Sequence, residues 1–290
     1  MSPAVTIESP PSLAGNQRAA LISLLADDDD AVYQMVRGRL LAYGPVVCEW
    51  LRPQLLSADP ALRRRAQEII THFGRQQSDE TFLAFCLNNG EDLNLEEGAW
   101  LLAQTRYPEI NREAYRALFD HYAGELQQRI DFSADGTDIL NVINQYFFND
   151  LGFGGNERYG SDPENGYVNR IVDRRTGNPI GLCAVYLFVT RRLRLPVTGI
   201  GLPGHFVCRY QSTTREIYVD AFNRGRFLTK ADCIKYLLRT NHGLQEGYLA
   251  PVTPRRILLR MCANLNQTYL QLELLDEAAR LKRYLVALAN

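Results

Sequence analysis

Three side chains in the second half of the chain have the types and the order of a nucleophile, a base and an orienting acid: Cys183, His205 and Asp220. A thiolate attacks an amide or ester carbonyl, an imidazole takes and returns the proton, and a carboxylate holds the imidazole in the useful tautomer. Such chemistry requires the sulfur and a ring nitrogen within hydrogen-bond reach of each other. The elements that carry the three residues therefore decide whether they can act together.

Cys183 lies in Asn178-Pro179-Ile180-Gly181-Leu182-Cys183. Asn178 is a good helix cap and Pro179 suits a first turn, so a helix is predicted over Pro179–Arg192. Cys183 then sits near the N-terminal end, where the helix dipole is expected to lower its thiol pKa. The small Gly181 leaves room for a substrate backbone.

His205 opens His205-Phe206-Val207-Cys208-Arg209-Tyr210, an alternating aromatic and β-branched run that reads as strand. Strand pleating puts His205, Val207 and Arg209 on one side and Phe206, Cys208 and Tyr210 on the other. Cys208 is thus expected in the core. A following strand, Glu216–Asp220, brings Asp220 beside His205 if the two pair antiparallel.

Gly199, Gly201 and Gly204 form a GxGxxG pattern, and Asp220 follows at the spacing of a dinucleotide fingerprint. That fingerprint needs a helix after the glycines to hold the pyrophosphate. Here a strand follows, and Pro203 removes a backbone N–H from the would-be phosphate loop. The glycines are read instead as the tight turn that delivers His205. No cofactor is expected.

The wider composition is that of an ordinary globular chain: 290 residues, 46% hydrophobic and 22% charged. Lys plus Arg (32) nearly balances Asp plus Glu (33), which removes the basic field expected of a nucleic-acid or acidic-membrane binder. No apolar run is long enough to span a bilayer, and the N-terminus lacks the pattern of a signal peptide. Six cysteines, scattered without CxxC pairs, point to reduced thiols and a cytoplasmic setting. No fourth ligand accompanies Cys183, His205 and Asp220 at metal-like spacing, so no metal site is expected. His72, His121 and His242 lack matched partners and receive no role.

Patterning divides the chain into five parts. Residues 1–15 read as a Pro- and Ser-containing disordered tail, and 16–75 as short antiparallel helices resembling a HEAT-type repeat. Asp27–Asp30 and Asp59-Pro60 supply helix starts there. A helical region over 76–150 includes separate helices at Glu80–Leu87 and Ile110–Arg129. After the Gly- and Asn-rich loop from Leu151, residues 151–250 combine helices with consecutive strands, an α+β unit with an antiparallel sheet. Residues 251–290 return to two amphipathic helices that turn near Glu273–Asp276, a TPR-like hairpin.

A helix-borne Cys followed by His and Asp on successive strands resembles the transglutaminase-like superfamily, papain-like in its core layout. More narrowly, the chain resembles the bacterial SirB-type branch. The matching residues are Glu97-Gly98-Ala99, Tyr107-Pro108, Gly152 to Asn156, Asn165-Gly166-Tyr167, Arg174 to Ile180, Leu202 to Phe206, and Val219-Asp220. Arg194 and Ala221 depart from the branch, which usually has Gly and Pro there. The resemblance implies a transglutaminase-like core flanked by a helical N-terminal domain and a C-terminal helical hairpin. It implies acyl transfer through a thioester on Cys183, with a protease, amidase, deamidase or transglutaminase outcome and a protein or peptide substrate. The Cys183 backbone N–H would bind the oxyanion, with Asn165 as the nominated side-chain donor; a turn role in Pro163–Gly166 suits Asn165 equally well. A second class of function is a non-catalytic adaptor that uses the core and the helical repeats to bind a protein.

Overall fold

The computed structural model describes residues 14–156, 161–240 and 245–289. Residues 1–13 of the expected tail, and His242, lie outside them. Helix α1 (Gly15–Leu24) already occupies the last residue assigned to that tail. Two compact units divide between Asp79 and Glu80.

In the first unit α1 is followed by α2 (Asp30–Ala42), α3 (Val47–Leu51), a 3-10 turn over Arg52–Leu56, and the start of α4 (Pro60–Asn88). Asp29 accepts from the Ala31 N–H at 2.8 Å and Asp59 from the Ala61 N–H at 2.8 Å, so the acidic residues serve as the expected caps. Leu25, Val36, Leu40, Val47, Leu51 and Ile69 form this unit's core. The sequence reading separated the helix after Pro60 from one at Glu80–Leu87, and the structure joins them in α4. No proline interrupts the stretch after Pro60, and the lone Gly74 costs only about 1 kcal/mol, too little to break a helix packed along its length.

The second unit begins with α5 (Leu95–Arg106), α6 (Arg112–Arg129) and α7 (Gly136–Asn144), capped by Asn94, Asn111 and Asp135. A π-helical turn over Gln145–Asp150 prolongs α7. Next come β1 (Gly154–Gly155), α8 (Val168–Arg174), β2 (Thr176–Gly177), which pairs parallel with β1, and α9 (Pro179–Arg192). The main sheet is β3 (Val197–Ile200), β4 (Val207–Gln211), β5 (Glu216–Asp220) and β6 (Arg226–Leu228), antiparallel throughout and in that spatial order. Helix α10 (Lys230–Arg239) and the hairpin of α11 (Pro254–Gln271) and α12 (Leu275–Ala289) complete the chain.

The class is α+β with a helical flank around a small antiparallel sheet, as expected. Helix α9 covers one face of the sheet and α10 the other. Trp100, Phe119, Phe147, Tyr186, Cys208 and Leu258 belong to one apolar cluster that runs from α5 to α11. Arg255 ties the hairpin down from within: its guanidinium donates to the carbonyls of Cys86, Asn89, Ala287 and Leu288 at 2.7–2.9 Å, satisfying helix-end acceptors. Among the described residues no helix is long and apolar enough to cross a membrane.

Candidate functional site

His205 is delivered by a turn, and the turn explains the glycine pattern. Its N–H donates to the Leu202 carbonyl at 3.0 Å, and Gly204 between them has φ of 73°. Pro203 followed by a left-handed Gly is the sequence of a type II turn, in which only glycine is comfortable at the third position. Arg260 of α11 holds the turn from outside, donating to the carbonyls of Leu202 (2.7 Å) and His205 (2.8 Å) while lying over the Phe206 ring. Tyr236 of α10 adds a hydroxyl bond to the Pro203 carbonyl at 3.0 Å. His205 thus precedes β4 by two residues rather than lying on it, yet keeps the predicted parity.

Asp220 ends β5 and meets His205 as the antiparallel pairing required. The His205 Nε2–H donates to Asp220 Oδ2 at 2.8 Å, a bond that an ionised carboxylate can only accept. Asn223 donates its side-chain amide to the same oxygen (2.8 Å) and its backbone N–H to Oδ1 (3.1 Å). Burial by itself would raise the Asp220 carboxyl; the bond and charge of His205 and the two bonds from Asn223 outweigh it and hold the group below its ordinary value.

The loop after Asp220 is fixed by Gly225, whose N–H returns to the Asp220 carbonyl at 2.8 Å with φ of 75°. A side chain there would meet Phe148 at 2.4 Å. Asn144 reaches across from α7, donating to the Gly225 carbonyl at 2.7 Å and accepting from the Tyr186 hydroxyl at 3.1 Å.

Cys183 is placed differently. It is fully buried, its Sγ–H donates to the Phe206 carbonyl at 3.5 Å, and the Cys208 thiol donates to the Cys183 carbonyl at 3.8 Å. No hydrogen bond joins Cys183 to His205 among the described residues. The expected lowering of its thiol pKa is reversed. Burial first, then Cys208 and the Asp220 charge, push the thiol well above its ordinary value, and the Ala221 N–H only partly opposes them. Two causes account for the difference. Asn178 accepts from the Gly181 N–H at 2.8 Å, so the helix begins at Pro179 and Cys183 lies one turn inside it, beyond the strongest part of the dipole. Pleating also turns Cys208 toward α9, where it meets Cys183 in the core, whereas His205, Val207, Tyr218 and Asp220 share the parity of the α10 face.

On that second face the dyad opens into a cleft of about 730 Å³. Phe222 and Tyr236 flank the imidazole edge-on and tilted, at ring separations of 6.1 and 5.9 Å. Asn223, Arg226, Lys235 and Arg239 also line it. Among the described residues His205 Nδ1 makes no hydrogen bond. The cleft can therefore hold a polar ligand against a basic nitrogen, but it has no accessible thiol: its own Cys233 is fully buried, and burial pushes that thiol up to about 11.

Asn165 does not line this cleft. It is buried in the Pro163–Gly166 turn, where Oδ1 accepts from the Asn156 side chain at 3.0 Å and its carbonyl accepts from the Asn178 N–H at 3.0 Å. That second bond steadies the cap of α9. The sequence reading missed β6 and α10, and with them Arg226, Lys235, Tyr236 and Arg239, and it gave Asn223 no role. A signal was present in Thr229-Lys230-Ala231-Asp232, whose side chains form a capping box at the start of α10. The three residues of β6 give too short a pattern to recognise.

Comparison with known proteins agrees with this architecture. A family model for the transglutaminase-like superfamily matches residues 113–263, which carry the sheet, the His205–Asp220 pair and Cys183. The UPF0162 protein of Xylella fastidiosa is 32% identical over 197 residues, covering 66% of this chain and 70% of that protein. The UPF0162 protein of Pseudomonas aeruginosa is 26% identical over 187 residues, covering 63% and 67%. F-box only protein 21 of Mus musculus is 31% identical over 137 residues, covering 44% of this chain and 21% of that protein. No solved structure matches the chain significantly. With more than half of its length matching the family model, the chain belongs to the transglutaminase-like superfamily.

Proposed function

We propose that this chain uses its transglutaminase-like core for recognition, binding a protein or peptide in the cleft at His205 and Asp220 without forming a thioester on Cys183. The observation that carries this reading is the position of Cys183. A nucleophile must be ionised and must reach a carbonyl, whereas this thiol is fully buried, pushed toward its neutral form, and turned to the Phe206 carbonyl. The dyad then acts as a fixed hydrogen-bonding group, with Nδ1 free to accept from a ligand N–H or O–H. Placement in the SirB-type branch, a cytoplasmic location, and HEAT-like and TPR-like character of the flanking helices belong to the same reading.

A second reading is favoured by one specific observation, the formed His205–Asp220 pair, which is the base and orienter that cysteine acyl transfer needs. In it the Cys183 sulfur attacks a carbonyl, His205 carries the proton to the leaving amine, and water or a second amine releases the acyl group. This requires the sulfur to leave its core position and emerge beside Nδ1.

Incorporation of a fluorescent amine into a glutamine-rich protein substrate, run alongside ammonia release, separates the two. The recognition reading expects wild type and Cys183→Ala to give the same background. Turnover that disappears in both Cys183→Ala and His205→Ala would replace it with the acyl-transfer reading.

A further inference from the structure

The cleft beside His205 carries more positive charge than its own carboxylates use. Arg226 from β6, and Lys235 and Arg239 from α10, line it, and among the described residues none of the three side chains makes a hydrogen bond or an ion pair. The same cleft holds two carboxylates, and the charges of Lys235 and Arg226 help to hold Asp232 below its ordinary value. Asp220 is held by His205 and Asn223, and Asp232 accepts from the Thr229 N–H (2.9 Å) and hydroxyl (2.7 Å) in the cap of its own helix. Three exposed cations thus face two carboxylates, which leaves the concavity with an excess of positive charge.

The spacing of these charges speaks to the form of the anion. Asp232, Lys235, Tyr236 and Arg239 recur at three and four residues and share one face of α10. Lys235 and Arg239 are one turn apart, about 5–6 Å between Cβ atoms. Arg226 stands across from them on a different element. Charges spread in this way suit several carboxylates along a chain better than a single compact anion, which favours convergent donors. Leu202, Phe222, Leu228 and Leu238 add apolar lining, the last 58% exposed on a helix whose other leucine in this turn, Leu237, is buried. A volume of about 730 Å³ accommodates a few side chains rather than an ion alone.

We propose that this cleft binds a short acidic peptide segment of a partner protein, its carboxylates paired with Arg226, Lys235 and Arg239 and an apolar side chain seated against Phe222 and Leu238. The proposal rests on the recognition reading above and names the chemical class of its ligand. Charge complementarity selects the partner, and the apolar floor distinguishes a peptide from a free anion.

The test is fluorescence anisotropy of the full chain with a fluorescein-labelled octapeptide of alternating Glu and Leu. Its Gln and Leu counterpart and inorganic phosphate serve as controls. The Glu peptide is expected to bind, and raising salt from about 50 to about 500 mM should weaken it. Lys235→Gln with Arg239→Gln should weaken it by about five- to tenfold, and Leu238→Ser should weaken it independently of salt. These substitutions are on exposed positions, and unchanged circular dichroism keeps a folding defect separate.

Equal affinity for the Gln peptide, absence of binding, or indifference to the charge substitutions would overturn the proposal. So would displacement of the peptide by millimolar phosphate, which would make the cleft a site for a small anion. Cys183-dependent turnover in the amine assay would sink the recognition reading alone, since peptide affinity and its charge dependence are read without any reaction.

Discussion

The two faces of the main sheet carry the same kinds of residue and put them to different uses. Under α9, Cys183 and Cys208 sit in a dry core with Phe206, Tyr186 and Val219, and each thiol spends its hydrogen on a backbone carbonyl. Under α10, His205 and Asp220 form a charge-assisted pair at the wall of an open cleft with exposed cations on its rim. A cysteine at the start of a helix and a histidine at the start of a strand look equally reactive in a sequence. Which side of the pleat each joins determines which one meets solvent.

A carboxylate placed on each face in turn should separate them. Placing a carboxylate in the dry face has the largest expected effect. Cys183→Asp buries an anion that feels the Asp220 charge, with the nearby Arg260 guanidinium already donating to the Leu202 and His205 carbonyls, and should destabilise the second unit by about 3–5 kcal/mol, read from urea unfolding. Lys235→Asp on the other face should stay within about 0.5 kcal/mol. Similar losses at both positions would erase the distinction between dry and wet faces.

Gly225→Ala comes next. Its φ of 75° and the 2.4 Å approach to Phe148 leave no place for a methyl group, and a loss of about 1–3 kcal/mol is expected. Because this loop holds Asn223 against Asp220, the His205 imidazole signals in NMR should shift as well. Full stability with unshifted imidazole signals would show that the loop does not position the dyad.

Cys183→Ala is a smaller change. Losing one buried sulfur should cost about 1 kcal/mol and leave ligand binding in the cleft untouched. Altered peptide affinity in this variant would link the faces that the structure keeps apart.

The smallest effect is a change in the acid limb of stability. The folded Asp220 carboxyl lies below its unfolded value of about 3.9. Its contribution is therefore fully present above that value and is lost as pH falls through the lowered native one. Asp220→Asn should be less stable at neutral pH and show a shallower loss as pH falls below about 4. An acid limb parallel to that of the wild type would show that the carboxylate is not held by His205 and Asn223.

Much of this was readable in the residues. Asn178 and Pro179 marked the start of α9, Pro203-Gly204 marked the turn, and strand alternation put Cys208 opposite His205 and brought Asp220 to the imidazole. The separation of Cys183 from the base follows only once Cys183 is seen to pack on Cys208. What the sequence could not display was which face α9 would cover, since that depends on packing between elements distant in the chain. Helix α10 was signalled only by its Thr229–Asp232 capping box; its helical pattern is short and follows a strand of only three residues, so the charged wall of the cleft went unseen. The merging of two predicted helices into α4 has the same origin: local polarity between Thr71 and Asp79 suggests a break, but nothing there opposes helical geometry.

The most direct test is the pH dependence of iodoacetamide alkylation at Cys183, followed by peptide mass spectrometry in wild type and His205→Ala. The account predicts that half-buried Cys48 reacts first, that Cys183 stays protected through about pH 9 until denaturant is added, and that the His205 substitution changes nothing. A Cys183 that outpaces Cys48 at neutral pH, with a midpoint below about 8.5 that rises in His205→Ala, would contradict it and restore a working Cys183–His205 pair.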